Sequence, residues 1–450
     1  MFNALKNRVM IERCIFAAFI FIVLWSSKNT YIINQGDFSR LTVGFLDDLS
    51  KYSKDTLSYP LLNTFYSIYE YAYISSFSWI VYGYALLINT ITNTFDLQIF
   101  SALMKIAFIC SLYLLYKEIK NRHVKGIFIF LIACVPLLSP SNLSYFASFY
   151  QDQLILPALP LAIALSLRNS LKSILLAFVC MTLIASSKSQ YFYVPLIFGA
   201  YYLIFNRERI KLKLILTFIS LAIAVLSIAY STGASQFNKY HSVFFGSLVY
   251  LKDNNYPIPD KYDTNCIGAD AWGNILNKEE GAIRSELGTK CMDANGSLGF
   301  KDSLGELIKH PTFIFKLPFE STMRSLYGED YFHVFKSYNL IRCSDSALCG
   351  MASVKDKLFN DLRFPALALF LILSLVLAKI NGAGVYFIIS AFGVSQLYIS
   401  FLGEGYRDIN KHLIGMNYAF DLLLFMLITM TLSLLVMQLK NIVYSHANRE

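Results

Sequence analysis

Long apolar runs separated by short polar segments set the pattern of this chain. A helix needs roughly 20 apolar residues to cross the hydrocarbon core. Candidate runs fall at 12–28, 97–117, 124–139, 154–168, 171–187, 191–206, 213–231, 364–380, 383–402 and 416–438. The pattern predicts an all-α polytopic membrane protein with about ten transmembrane helices. A further apolar stretch, 76–94, carries Trp79, Tyr82 and Tyr84, residues that favour the membrane–water interface. One long polar insertion, 231–363, interrupts the series. Its Gly, Asn, Asp and Pro punctuation and short amphipathic pieces predict a compact, mostly helical cap.

Charge then decides orientation. Lys117, Lys120, Arg122 and Lys125 form the most basic short loop, and Arg207, Arg209, Lys211 and Lys213 form a second. With Lys6, Arg8 and Arg13 at the start, these should all be cytoplasmic. The three anchors agree only if 76–94 does not cross but lies in the outer interface. Both termini are then cytoplasmic, and the first loop (28–96), the segment 140–153, the insertion (231–363) and the segment 403–415 face the periplasm of a bacterial inner membrane. The expected division is an N-terminal transmembrane module (1–230), the insertion, and a C-terminal module (364–450). No internal repeat supports an inverted-repeat transporter. The first run follows Arg8 and Arg13 without a small-residue cleavage site and reads as a retained helix.

Composition sharpens this. The chain is 56% hydrophobic and only 15% charged, with a mean hydropathy of +0.48; average soluble domains carry about 25% charged residues. The net charge of +9 reflects orientation signals, not nucleic-acid binding. Of eight cysteines, Cys14, Cys110, Cys134 and Cys180 lie in apolar runs, whereas Cys266, Cys291, Cys343 and Cys349 share the insertion. Nearest-neighbour disulfides, Cys266–Cys291 and Cys343–Cys349, are the simplest pairing and imply an oxidising compartment. A zinc site is the rival, weakened by the lack of a C-x-x-C pair.

Four polar clusters border the apolar runs on the outer side. In the first, Asp37, between Gly36 and Phe38, could accept a proton from a hydroxyl or hold it in line for attack; it could also cap a following helix. In the second, Tyr145, Phe149 and Tyr150 suit sugar rings or isoprenoid chains, or an interfacial belt. Asp152, beside them, could be a second acid or a helix cap. Lys188, against the positive-inside trend, fits a phosphate ligand or simple snorkelling. In the fourth, Arg407, Lys411 and His412 could clamp an anionic head group, with Arg407 and Lys411 sharing a helix face at i, i+4; pairing with Glu404 or Asp408 is the structural alternative. His241, His333 and Glu70 give no separable signal. No P-loop, dinucleotide fingerprint, zincin motif or hydrolase elbow occurs.

In order and sidedness these clusters resemble bacterial glycosyltransferases of the GT-C superfamily, which use polyprenyl-phosphate sugars, and within it the phage-type serotype-converting glucosyltransferases that decorate O-antigen in lipopolysaccharide. The residues that carry the likeness are Gly36, Asp37 and Phe38; Tyr145, Phe146, Phe149, Tyr150 and Asp152; Lys188, Gln190 and Tyr191; and Asp408, Lys411 and His412. The resemblance covers about 10–435. A lone Asp37 replaces the acidic doublet of many relatives, with Asp152 the candidate partner. The resemblance implies a GT-C-like fold with interfacial helices and a periplasmic insertion. It implies transfer of a sugar, glucose in the nearest analogy, from undecaprenyl phosphate to a lipid-linked glycan acceptor, inverting the anomeric centre. Asp37 and Asp152 would be catalytic; Lys188, Arg407, Lys411 and His412 would hold the donor phosphate; Tyr145, Phe149, Tyr150 and Glu404 would contact acceptor or lipid. No organic cofactor, metal ligand set or nucleic-acid partner is expected. An O-antigen polymerase or ligase would depend on outer Arg and His instead. A lipid-linked sugar flippase would need ionisable residues inside the spans, which the sequence reads as almost free of them.

Overall fold

A computed structural model of the chain describes residues 2–34, 36–67, 74–119, 126–230, 235–271, 286–329, 333–335, 338–407 and 409–447. Lys120, Arg122, Lys125, Glu70 and Asp408 lie outside them. The N-terminal half comprises α1 (Phe2–Ser26), α2 (Gly36–Thr42), α3 (Ser76–Asn89), α4 (Leu97–Ile119), α5 (Ile127–Cys134), α6 (Pro140–Phe146), α7 (Ile155–Ser166), α8 (Leu171–Ala185), α9 (Val194–Ile204) and α10 (Ile210–Tyr230). The insertion supplies α11 (Ser235–His241), α12 (Leu248–Asp253), α13 (Glu286–Ala294), α14 (Phe300–Ile308), α15 (Phe313–Lys316), α16 (Ser321–Ser325) and α17 (Ser346–Phe359). The chain ends with α18 (Arg363–Val376), α19 (Ala383–Glu404), α20 (Ile409–His412) and α21 (Ile414–Ala447).

Among the described residues five helical stretches are long and apolar enough to cross a membrane: Leu97–Ile119, Ile210–Tyr230, Ala347–Val376, Ala383–Glu404 and Ile414–Ile442. The expected runs 154–168, 171–187 and 191–206 form α7, α8 and α9 of only 12, 15 and 11 residues, about 18, 23 and 17 Å long at 1.5 Å per residue. Their site-proximal turns are wound as 3-10 helix instead, over Gln151–Leu154 and Ser189–Tyr191. The run 124–139 also breaks. Cys134 ends α5, a 3-10 turn with Pro136 follows, and the chain bends by 82° into α6. Every residue of α6 is buried, so this segment is a helix packed inside the protein, roughly at right angles to α5. The α3 helix has 14 residues, short of the roughly 20 a crossing needs.

Between lipid-facing helices close packing replaces the hydrophobic effect as the adhesive. Gly393 of α19 illustrates it: a Cβ there would come within 2.7 Å of Leu367 in α18 and 2.8 Å of Ala419 in α21. The insertion is seated on this bundle. Ser242–Ser247 continues α11 as a π-helix and packs with α14 and α19. β1 (Tyr31–Ile32) pairs with a strand of the insertion, as described below, while β2 (Ser58–Pro60) pairs with β3 (Thr94–Asp96). In the insertion, β4 (His333–Phe335) pairs with β5 (Tyr338–Asn339), and β6 (Ile341–Arg342) is the antiparallel partner of β1.

Both disulfides of the simplest pairing are present, Cys266–Cys291 and Cys343–Cys349. The first closes a 25-residue separation. Replacing both its cysteines with Ala should cost about 3 kcal/mol through the freer unfolded chain, read as a lower unfolding midpoint. The second, across 6 residues, should cost less, so equal losses would count against the loop-entropy account.

Candidate functional site at one end of the bundle

The α2 helix is oriented by Phe38, which packs edge-on against Phe149 and Tyr150, both at 5.5 Å. Asp37, its neighbour in the first turn, is thereby held beside the hydroxyl end of Tyr150. Its Oδ2 accepts from Lys411 Nζ at 3.1 Å and from Tyr150 Oη at 3.3 Å. Arg40, one turn on, reaches Oδ1 at 3.2 Å. The Lys411 ammonium also lies 5.1 Å from the centre of the Tyr150 ring, within cation–π range.

The two 3-10 turns build the neighbouring pair. Asp152 accepts from Lys188 Nζ at 3.1 and 3.0 Å on its two oxygens and from Tyr191 Oη at 2.6 Å. It caps no helix, which removes the capping alternative. Gln190, between Lys188 and Tyr191, donates to the His412 carbonyl at 2.6 Å and so fixes the third segment. There His412 faces Glu404 at 3.2 Å.

Gly405 ends α19 with φ +68°. A Cβ at this position would sit 2.3 Å from the Phe245 backbone, so only glycine lets the turn approach the π-helix. Tyr406 N then donates to Phe245 O at 3.1 Å. The turn separates Arg407 from α20, and Arg407 does not share a helix face with Lys411. Arg407 Nε instead donates to Asp270 Oδ2 at 2.8 Å, and His241 faces the other oxygen of Asp270 at 3.2 Å.

The electrostatics are those of a pre-paired cluster. Burial pushes the Asp37 carboxyl up, but Lys411 and Arg40 outweigh it and hold it well below the usual carboxylate range. Burial likewise raises Asp152, and Lys188 with the Tyr191 hydroxyl brings it below its ordinary value. Burial raises Tyr150, which keeps the phenol protonated as a donor. Both acids are thus ionised at neutral pH. A depressed carboxyl adds stability above its unfolded pKa and loses it as pH falls through the folded value. Lys411→Met should raise the Asp37 pKa, because burial then loses its largest opponent. Infrared titration of the carboxyl band, with Asp37→Asn as the blank, should find the midpoint moved upward; an unmoved midpoint would deny the pairing.

Of the residues singled out from sequence, Asp37, Tyr150, Asp152, Lys188, Lys411, His412 and Glu404 converge. Arg407 is tied to Asp270, a partner the sequence did not indicate. Tyr145 and Phe149 are buried and pack among Tyr150, Phe38, Tyr59 and Phe95; they support the site and do not line an open face. Among the described residues no three His, Cys, Asp or Glu are grouped to hold a metal ion.

A second ionic cluster went unread in the sequence. Lys355 pairs with Glu329 and Asp421, each at 2.6 Å. Arg363 pairs with Glu329 at 3.1 Å and Asp356 at 2.7 Å. Asn142 of α6 donates to Asp421 at 2.8 Å, and Ser141 to Glu329 at 2.5 Å. Asp421 and Arg363 belong to stretches long and apolar enough to span a membrane, as does Lys105, which is buried in α4 and donates to Ser27 O at 3.0 Å. The candidate spans thus carry few ionisable groups, and these three are buried and partnered.

Fold and site together define an α-helical membrane protein with a paired-charge cluster at one end of its bundle. Residues 2–257 match the family described as YfdI N-terminal transmembrane domain, and the chain belongs to that family. It is similar to the uncharacterized protein YfdI of Escherichia coli (strain K12), with 38% identity over 418 residues that cover 92% of this chain and 94% of that protein. No solved structure matches.

Proposed function

We propose that this chain is an inverting glycosyltransferase of GT-C type, moving a hexose from undecaprenyl phosphate to a lipid-linked glycan such as O-antigen. In this reading the chain crosses the inner membrane about ten times, with both termini cytoplasmic and the site periplasmic. The carrying observation is the convergence of Asp37, Asp152, Lys188 and Lys411 from four distant segments into one cluster. Four carboxylates (Asp37, Asp152, Asp270, Glu404) stand against the permanent cations Arg40, Lys188, Arg407 and Lys411, with His412 beside them. An incoming phosphate competes for those cations.

Donor binding that draws Lys411 toward the phosphate relieves Asp37 of its strongest counter-charge. Its basicity rises when an acceptor hydroxyl needs orienting. The hydroxyl oxygen then bonds to the anomeric carbon, and the bond from that carbon to the phosphate oxygen breaks. The electron pair leaves on phosphate, where the cations stabilise it, and the hydroxyl proton passes to Asp37. The purified chain in liposomes should consume polyprenyl-phosphate sugar and yield glycosylated acceptor; no product with a bound donor and a competent acceptor would reject the reading.

The ionisable groups within the spans favour a second reading, a lipid-linked sugar transporter. The same liposomes distinguish it: transport moves the lipid between leaflets with no chemical change to it.

A further inference from the structure

The α14 helix is two-faced. Ser303 donates to Ser242 O at 2.8 Å, and Glu306 takes Tyr262, Lys261 and Lys309 as partners. That face is fixed to the rest of the insertion. The opposite edge presents Phe300, Leu304 and Ile308, one turn apart and exposed, Ile308 by 65%. Ile314, Phe315 and Phe319 extend the edge, with Phe315 exposed by 76%. A water-facing surface rarely carries a contiguous apolar patch of this kind.

What covers it follows from its depth. The Tyr398 hydroxyl of α19 donates to Ile314 O at 2.6 Å. The Phe313 ring packs on Tyr398 at 6.1 Å and on Phe401 at 5.5 Å, and Phe319 lies 6.2 Å from Phe364 at the start of α18. The α19 helix has 22 residues, about 33 Å, a match for a hydrocarbon core of about 30 Å. Tyr398 precedes its final residue, Glu404, by six positions, about 9 Å along the axis. The α15 helix thus runs beside a span wall, below the level of the candidate site. Lys301, Lys309 and Lys316 are exposed next to the edge, placed for anionic head groups. On α18, whose Phe364 packs against Phe319, Leu369, Ile372 and Val376 are exposed as well.

We infer that the arm from Phe300 to Phe319 is a membrane anchor: its apolar edge lies in the lipid leaflet on the site side of the bundle. The insertion is then a shoulder embedded in the membrane surface, and the candidate site is held at a fixed height above the acyl chains. This holds whatever reaction the site performs.

Tryptophan depth measurement tests it. Phe315→Trp and Ile308→Trp are placed singly in a chain whose Trp25, Trp79 and Trp272 are replaced by Phe. Leu287→Trp on α13 is the comparison. In liposomes of zwitterionic lipid brominated along the acyl chains, the first two should emit at short wavelength and lose at least half their intensity, while Leu287→Trp responds to iodide alone. Adding anionic lipid should leave that contrast in place. Iodide quenching without bromolipid quenching at position 315 would show a solvated edge and overturn the inference. Short-wavelength emission insensitive to both would place a second copy there and also overturn it. If the tryptophan-free chain does not fold, Phe315→p-benzoylphenylalanine in the otherwise unaltered chain replaces it. Irradiation should yield lipid adducts by mass spectrometry, and their absence would reject the anchor.

Discussion

Asp37→Asn should collapse sugar transfer while leaving the lipid donor bound. The substitution keeps size and shape and removes the charge and basicity. Loss of a positioned general base typically costs about 10²–10⁴-fold, so turnover should fall within that range. Donor affinity should be steady or slightly better, because Lys411 and Arg40, now released from a carboxylate at 3.1 and 3.2 Å, become more available to phosphate. Lys188→Ala and Lys411→Ala should do the opposite and weaken donor binding, since each removes a charge-assisted contact. If Asp37 serves only the first turn of α2, its loss costs about 1 kcal/mol of stability with near-normal transfer. Measuring donor affinity and transfer separately on folded variants distinguishes these. Near-normal transfer by Asp37→Asn would sink the catalytic assignment.

The participants were more legible in the sequence than their pairings. Asp37, Asp152, Lys188 and Lys411 stood out because a charge beside an apolar run is conspicuous. That Lys411 meets Asp37 across 374 positions, or that Arg407 meets Asp270 across 137, is tertiary information without a local signal. Spacing misled at Arg407 because it presumed an unbroken helix, and Gly405 with positive φ breaks it. The segment 140–146 read as a polar loop because Ser141 and Asn142 interrupt its hydrophobicity. They are buried because carboxylates accept their hydrogens. Helix lengths inside the apolar runs were not legible, because 3-10 turns and Pro136 take up residues at the site end. The cysteine pairing was accessible because confinement to one segment left few geometries.

Arg363→Met should be the most destabilising single change, and more costly than Asp421→Asn. The guanidinium is fully buried and donates to Tyr327 O at 2.7 Å as well as pairing with Glu329 and Asp356. Its cluster holds three carboxylates (Glu329, Asp356, Asp421) against two cations (Lys355, Arg363). Removing a cation widens that imbalance and strands carboxylates where water cannot solvate them, at about 3–5 kcal/mol. Asp421→Asn narrows the imbalance. It still forfeits its contacts with Lys355 and Asn142, a loss of about 1–3 kcal/mol. The consequence reaches the site through α6, since Ser141 and Asn142 are gripped by this cluster and the same helix leads into Tyr150 and Asp152. Arg363→Met protein that remains folded should therefore lose the packing of Tyr150 against Phe38, seen as a broadened aromatic signal, whereas Asp421→Asn should retain it. Equilibrium unfolding by SDS titration in mixed micelles measures both variants. Equal losses would mean that side-chain volume, and not the charge imbalance, governs this part of the core.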